Sequence, residues 1–472
     1  MAAGPFGSVT DAKWKYQAQG YWMKILVLSW YFPPGNTIGA IRVGKLAKYL
    51  HERGNDVRVV AGRHWDLPET LPLEIPADRV RYSNFTDINW PRDVLRRLYD
   101  RLAGGAAPQA APARPTGPSG SRDEASPLTS SLRCLSDLYT HALNLPDNRI
   151  GWLPWAVRDA KRISRRLRPD LIYASGPPFT CLLAGHLVSR QTGVPWIAEF
   201  RDRWVDDPYN DYPQWRTNLL ARLERRVVAS ATGVVTVSEP WAEFYRAKFG
   251  KPVATIYNGY DPQDFAFEPD DGNPPPSDKL TITYTGVIYS GRRDPSPLFE
   301  ALKLLGPDRQ RCRVVFYGSA PDLVRPVAER CGVGDLVEVH PPVPYKESIQ
   351  LQRAADVLLL LQWNDPKEQG NCPAKLFEYF AVRRPILGLG LEDGVPAKFI
   401  RERSAGFFSN DPTLIAAQLR SWLAEKERNG FIKSLPPEAR EGLSRAVQFE
   451  KLEHFIGECL ASAGARRAGA RR

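Results

Sequence analysis

The sequence predicts an α/β protein built as two facing Rossmann-like domains with a cleft between them. Three observations lead there. The 472 residues exceed one ordinary core, since a domain usually takes about 150–200. Short apolar runs alternate with stretches of helical periodicity along most of the chain. A Gly-, Pro- and Asn-rich break at 272–278 (GNPPPSD) is followed by a restart of that alternation.

The elements follow in order. Lys24–Trp30 (KILVLSW) reads as a buried parallel strand. Ala40–Arg53 repeats apolar residues at helical spacing (Ile41, Leu46, Leu50), and Gly54 stops it. Val57–Ala61 is a second strand, completing the opening β-loop-α-β of a doubly wound sheet. Residues 103–120 hold four Pro and four Gly among Ala, Ser and Thr, so a disordered insertion of about 103–130 is expected. Order resumes near Leu132. There follow a basic helix (Ala156–Arg168), strand Leu171–Ala174, helix Phe179–Gln191, and strands Trp196–Phe200 and Gly233–Val237. Ser238 then reads as the N-cap of a helix with Pro240 in its first turn. Beyond the break come strand Leu280–Tyr284, helix Pro297–Leu305, and strands Arg313–Tyr317, Val337–Val339 and Val357–Leu361. Helix Pro373–Ala381 and strand Pro385–Leu389 complete the pattern. The expected layout is an extension 1–22, with Met23 as the start of folded protein, then an N-terminal domain 23–271 and a linker 272–278. A C-terminal domain 279–438, a helix 439–460 and a basic tail 461–472 follow.

Composition excludes several classes. Hydrophobic residues at 43% and charged residues at 25% rule out a wholly disordered, collagen-like or disulfide-stapled chain. Six Cys (134, 181, 312, 331, 372, 459) form no CxxC pair, which removes zinc-ribbon spacing and suits a reducing cytosol. No apolar run approaches the roughly 18 residues of a membrane span, and 1–22 has no signal-peptide core. The six His show no metal-binding spacing, and neither GxSxG, a P-loop nor Asp-x-Asp occurs, so no metal site is expected. Lys+Arg minus Asp+Glu is 64 − 53 = +11, four of these charges lying in the last seven residues. The remaining excess points to anionic partners: phosphates, a lipid surface or nucleic acid.

The candidate motifs lie mostly after strands, where open α/β sheets hold ligands. In Tyr31–Arg42 (YFPPGNTIGAIR), Gly35 and Gly39 let backbone approach a ligand ahead of a helix N-terminus; a plain strand-to-helix turn reads equally well. Ala174–Thr180 (ASGPPFT) and Glu199–Trp204 (EFRDRW) end two further strands, and Arg201 with Asp202 reads as either site or structural ion pair. Ile256–Phe265 (IYNGYDPQDF) is a tight turn at a hinge. In Tyr284–Asp294 (YTGVIYSGRRD), Arg292 and Arg293 suit a diphosphate, or form a solvated pair. In Gly370–Pro385 (GNCPAKLFEYFAVRRP), Lys375 and Glu378 share a helix face, the lysine suited to phosphate and the carboxylate to ribose hydroxyls; a surface i,i+3 pair is the alternative. Arg149–Arg168 carries seven Arg or Lys against one Asp, with Trp152 and Trp155. Its helix is expected to pack through Val157 and Ile163 and to lay its tryptophan end on anionic lipid.

Taken in order, these segments resemble glycosyltransferase family 4, the retaining transferases of the GT-B fold, over roughly residues 23–460. KILVLSWYFPPGNTIGA is similar to the family's opening strand and acceptor-side loop, and VVTVSEPWAEFYRAKFG with VATIYNGYDPQDF to its passage into the linker. LTITYTGVIYSGRRDPSPLFEAL resembles its first C-terminal strand and phosphate loop, and CPAKLFEYFAVRRPIL its donor helix. The resemblance implies a nucleotide-diphosphate sugar as donor, a donor/acceptor cleft, and no metal or cofactor. It implies Arg292 and Lys375 as the catalytic positive charges, and Gly286, Arg292, Arg293, Gly318, Lys375, Leu376 and Glu378 as donor-binding residues. Gly35, Gly39, Ser175, Arg201 and Asp202 fall on the acceptor side. The sequence also departs from the pattern. Arg292 stands where a phosphate-binding lysine is usual, Val287 where an arginine is common, Ser175 and Arg201 where histidines are common, and Gly370 where the first glutamate of E-x7-E belongs. ASGPPFT and EFRDRW look most like bacterial enzymes of surface-polysaccharide synthesis. The expected partners are thus the donor, a glycan or polyprenyl-linked acceptor and an anionic membrane surface, with no nucleic acid. The expected location is the cytoplasm, at the inner face of the membrane. Two other functions stay open: a sugar-nucleotide epimerase on the same architecture, and a non-catalytic, membrane-associated nucleotide-sugar-binding subunit.

Overall fold

The computed structural model describes residues 22–63, 67–90, 142–266 and 277–469. The expected insertion, the extension up to residue 21, residues 272–276 of the expected linker and the last three residues of the tail lie outside them. The chain divides into two compact units. One comprises residues up to Thr236, Tyr245–Ala254 and Glu453 onward; the other comprises Val237–Phe244 and Thr255–Leu452.

In the first unit the strands are β1 (Lys24–Ser29), β2 (Asp56–Gly62), β3 (Val80–Ser83), β4 (Leu171–Gly176), β5 (Trp196–Phe200), β6 (Gly233–Thr236) and β7 (Val253–Thr255). They form one sheet in the order β3-β2-β1-β4-β5-β6-β7. β1 pairs in parallel on both sides, with Ile25 opposite Val57 of β2 and Leu171 of β4. Ile25 through Leu28 are all fully buried, the pattern of a strand covered by helices on both faces. The covering helices are α1 (Ile38–Glu52), α2 (Leu153–Leu167), α3 (Thr180–Thr192) and α4 (Gln214–Ala229), with α5 (Glu239–Phe249) preceding β7. The order of connection reverses between β1 and β4, which makes their carboxyl ends the switch point where such sheets hold ligands.

Three local expectations are corrected here. Trp152 is fully buried, its ring edge-on to Trp30 at 5.7 Å, so it cannot reach a lipid surface. α2 packs through Ala156, Ala160, Ser164 and Leu167, while Val157 and Ile163 stay partly exposed: small residues face the sheet and let the helix lie close to it. Ser238 precedes α5, but its buried hydroxyl has no hydrogen-bond partner among the described residues, so it makes no cap; Pro240 does occupy the first turn.

The second unit carries β8 (Leu280–Thr285), β9 (Cys312–Tyr317), β10 (Val337–His340), β11 (Val357–Leu361), β12 (Ile386–Leu389) and β13 (Gly406–Phe408). Their order, β10-β9-β8-β11-β12-β13, reverses between β8 and β11 in the same manner. Helices α6 (Ser296–Leu304), α7 (Pro321–Arg330), α8 (Tyr345–Ala354), α9 (Ala374–Ala381), α10 (Val395–Glu402) and α11 (Pro412–Asn429) cover it, and α12 (Arg445–Gly469) follows. β11 is apolar on both faces. Val357, Leu359 and Leu361 join one core layer with Leu302, Val324 and Leu419, while Leu358 and Leu360 join another with Leu376, Phe377 and Ile400. Among the described residues no helix is long and apolar enough to cross a membrane.

Candidate functional site

At the switch point of the second sheet, β8 ends in Thr285 and turns at Gly286, which has φ +130°. The turn is pinned to β9: Gly286 donates its N–H to Tyr317 O at 2.8 Å and accepts from Ser319 Oγ at 2.8 Å. Gly318, at φ +84°, follows β9, and a β-carbon there would come within 3.7 Å of Gly286. Two glycines in left-handed backbone therefore bring two loops side by side. α9 enters from the next loop and sends Lys375 across: its Nζ donates to Thr285 O at 2.8 Å and lies 4.0 Å from the centre of the Tyr284 ring. Burial lowers the pKa of this ammonium, and nearby Arg293 pushes the same way. Burial acts to raise the Tyr284 phenol, but Lys375 and Arg293 outweigh it and bring it below its ordinary value.

One turn further along α9, Glu378 accepts from Gln352 Nε2 at 3.1 Å. Gln352, fully buried on α8, also donates to Thr285 Oγ1 at 3.1 Å, so one amide ties the end of β8 to the carboxylate of α9. Burial raises the Glu378 carboxyl above the usual range, and the Gln352 bond works against that rise. Nothing in the sequence marks Gln352, because a glutamine in an amphipathic helix belongs to no motif.

The remaining expected donor residues divide. Arg293 donates to Val287 O at 2.9 Å and lies over Tyr289, inside the loop after Gly286. Arg292 reaches the other way, 4.9 Å above the Trp363 ring beyond β11. Leu376 is a correction: its side chain is fully buried among Leu358 and Leu360, and its N–H is given to Pro373 O, so it is a core residue. Gly370 has φ +89°, and a β-carbon there would fall 2.3 Å from Trp241 Cδ1. The indole has taken the space of an acidic side chain, and its Nε1 donates to Gln369 O at 3.1 Å. Glu368 is buried and accepts from Asn371 Nδ2 at 2.5 Å.

In the first unit, the carboxyl ends of β4 and β5 carry a buried ion pair the sequence did not announce. Glu199 and Arg42 are each 1% exposed, with Arg42 Nε 2.9 Å from Glu199 Oε1. Ser175 donates to Glu199 Oε2 at 2.5 Å. Burial alone would raise the Glu199 carboxyl, but Arg42, Ser175, Arg201 and Tyr173 together hold it below its usual range. Ser175, fully buried and committed to Glu199, therefore offers no hydroxyl to an acceptor. Gly35 is also buried, in a bridge with Glu69. Gly39 sits in the first turn of α1, where a β-carbon would lie 1.9 Å from Arg201 Nη1; the glycine makes room for the guanidinium. Arg201 gives its hydrogen bonds to the carbonyls of Gly176 and Pro177 and, among the described residues, makes no ion pair within bonding distance of a carboxylate, while Asp202 is exposed. Two helix starts at this end are already partnered. Thr37 caps α1 by accepting from Ala40 N at 3.1 Å, and Asp147 accepts from both the N–H and the hydroxyl of Thr180 at the start of α3. Among the described residues no group of three His, Cys, Asp or Glu is placed to hold a metal ion.

Known proteins share the fold of this chain. The model of the glycosyl transferase 4-like domain matches residues 39–259. The fold is that of HepE from Anabaena, solved with UDP and glucose, at TM-score 0.56 and 16% identity over 93% of this chain and all of that one. Sucrose-phosphate synthase from Thermosynechococcus elongatus gives a TM-score of 0.57 at 14% identity, over 92% of this chain and 99% of the other. The lipopolysaccharide outer core galactosyltransferase WaaB gives 0.55 at 12% identity, over 92% and 99%. No curated protein matches by sequence.

Proposed function

We propose that the chain, whose residues 39–259 match the model of the glycosyl transferase 4-like domain and which has the two parallel-sheet units of GT-B glycosyltransferases, moves a sugar from a nucleotide diphosphate to a saccharide or lipid-linked acceptor, with retention of configuration and without a metal. One observation carries the reading: Lys375, Gly286 and Gly318 meet at the switch point of the second sheet, where two glycine turns leave room beside one ammonium for a diphosphate. As negative charge grows on the leaving diphosphate, Lys375 and the loop holding Arg292 and Arg293 neutralise it, and fixed charges of this kind act most strongly where water is excluded. Glu378, held by Gln352, accepts the ribose hydroxyls. Arg201, fixed against Gly39, orients the acceptor from the first unit. The surface-glycan setting, at the inner face of a bacterial membrane, fits the excess of positive charge.

A panel of nucleotide-diphosphate sugars in a thermal-shift experiment tests this, since ligand at about 100 times its Kd adds about 2.7 kcal/mol of stability. The expected result is one preferred donor, and a product of retained anomeric configuration by NMR. No shift with any donor would refute the reading. A second reading, a subunit that binds donor without transferring it, is favoured by Trp241 standing where the family's acid belongs. It predicts the thermal shift but no transfer to any acceptor.

A further inference from the structure

A groove of about 510 Å³ opens at the amino end of the first sheet, between the starts of β2 and β3 and the last turns of α2. In a parallel sheet this is the end opposite Gly39 and Arg201, so the groove is separate from the acceptor side. Five arginines and three aspartates line it. The aspartates are already satisfied. Asp56 pairs with Arg79, the Asp78 carboxylate lies 3.4 Å from Arg58 Nη1, and Asp159 lies 3.1 Å from Arg81 and 2.8 Å from Ser83 Oγ. Arg162 and Arg166, one helical turn apart and exposed, make no ion pair, hydrogen bond or ring contact among the described residues. Two guanidinium groups thus face a concave surface with no carboxylate left to meet them. Such neighbours repel each other on a helix, and a shared anion relieves that repulsion. The floor of the groove is apolar, formed by Val80, Ile163 and Leu167.

We infer that this groove binds a phosphate ester, its phosphate held by Arg162 and Arg166 and its carbon portion resting on Ile163 and Val80. Guanidinium groups bind phosphate oxygens in pairs, whereas a site for a bare ion needs no apolar floor. The ester can come from an anionic phospholipid headgroup or from a soluble phosphate ester.

The test uses the full chain with two probes. Phosphatidylcholine vesicles with and without phosphatidylglycerol are sedimented, and glycerol 3-phosphate is titrated by calorimetry. Arg162→Glu and Arg166→Glu should each weaken binding about tenfold, the size of a lost charge-assisted contact. Arg165→Glu changes the charge equally on the same helix but lies outside the groove, so it should stay within about twofold of wild type. All three residues are exposed, so the melting temperature should not move. Binding to anionic vesicles alone assigns the lipid source, and binding to glycerol phosphate alone assigns the soluble one. Binding by neither probe, or equal loss in all three variants, overturns the inference.

Discussion

The ammonium of Lys375 stands 2.6 Å from the point where a β-carbon on Gly286 would lie. Glycine is the residue that leaves the ammonium there, and φ +130° is open to glycine alone without strain. Gly286→Ala and Lys375→Ala should therefore share a phenotype. Each lowers kcat more than it raises donor KM, by about 2.7–4 kcal/mol or roughly a hundred- to thousandfold. The double variant should be no worse than either single one, because both remove one interaction. Steady-state kinetics of the three proteins check this, and additive losses would separate the two residues.

The same ammonium sets a pH dependence. Burial lowers its pKa from the ordinary 10.5, so it loses its proton at a lower pH than a free lysine. A kcat that needs the charged form should fall on the alkaline side earlier than lysine titration alone would give, and Lys375→Arg should remove that limb. The stability effect has the opposite slope. Between the lowered folded pKa and 10.5 the unfolded chain binds more protons, so stability attributable to this residue rises with pH.

Gln352 acts through Glu378. Gln352→Leu removes a fully buried donor from both Thr285 and Glu378, at a cost of about 1–3 kcal/mol in stability. Because ribose contacts persist from ground state to transition state, donor KM should rise while kcat changes little. Glu378→Gln should also raise donor KM. It should, however, increase the melting temperature at neutral pH, since the carboxyl's raised pKa marks ionisation there as unfavourable. That gain should shrink as pH falls toward 4.5, where the wild-type carboxyl is itself protonated. Calorimetric melts across that range decide it.

Restoring the missing acid should fail. Gly370→Glu places a β-carbon 2.3 Å from Trp241 on backbone at φ +89°, so it should cost about 1–3 kcal/mol or more and raise no activity. Pairing it with Trp241→Ala removes the clash but not the backbone strain, so the double variant should recover only part of the stability. Urea denaturation of both measures this.

In the first unit, Arg42→Leu should be among the most damaging changes. It leaves Glu199 buried without its counter-charge, a loss of about 3–5 kcal/mol. Glu199 has a lowered folded pKa, so its contribution is present above the ordinary 4.5 and is lost as pH falls through the folded value. Denaturant melts of Arg42→Leu at neutral and acid pH should show the destabilisation narrowing in acid, where Glu199 takes up a proton.

Strands with continuous apolar runs were legible to within a residue or so at their ends, as with Lys24–Ser29, Trp196–Phe200 and Val357–Leu361, because burial on both faces writes itself as composition. The edge strand Val80–Ser83 and the three-residue strands Val253–Thr255 and Gly406–Phe408 carry too few residues to show a pattern. Helix Gln214–Ala229 is studded with arginines, and helix Pro321–Arg330 hides behind Pro326 inside it. The glycine loop and Lys375 could be read from local motifs. Trp241 against Gly370 could not, since they lie 129 positions apart and meet only in the fold. Ser175, Leu376 and Trp152 occupy motif positions, yet neighbours elsewhere in the chain turn each of them inward.

Strand Val357–Leu361 presents alternate side chains to two separate core layers, so neither layer can loosen without releasing the strand that serves the other. Opening of the second unit is then concerted rather than layer by layer. The amides of Leu359 and Leu360 should exchange with deuterium as slowly as any in that unit, at a rate set by its global unfolding. A lone Leu358→Ala, though confined to one layer, should speed exchange in the helices of both.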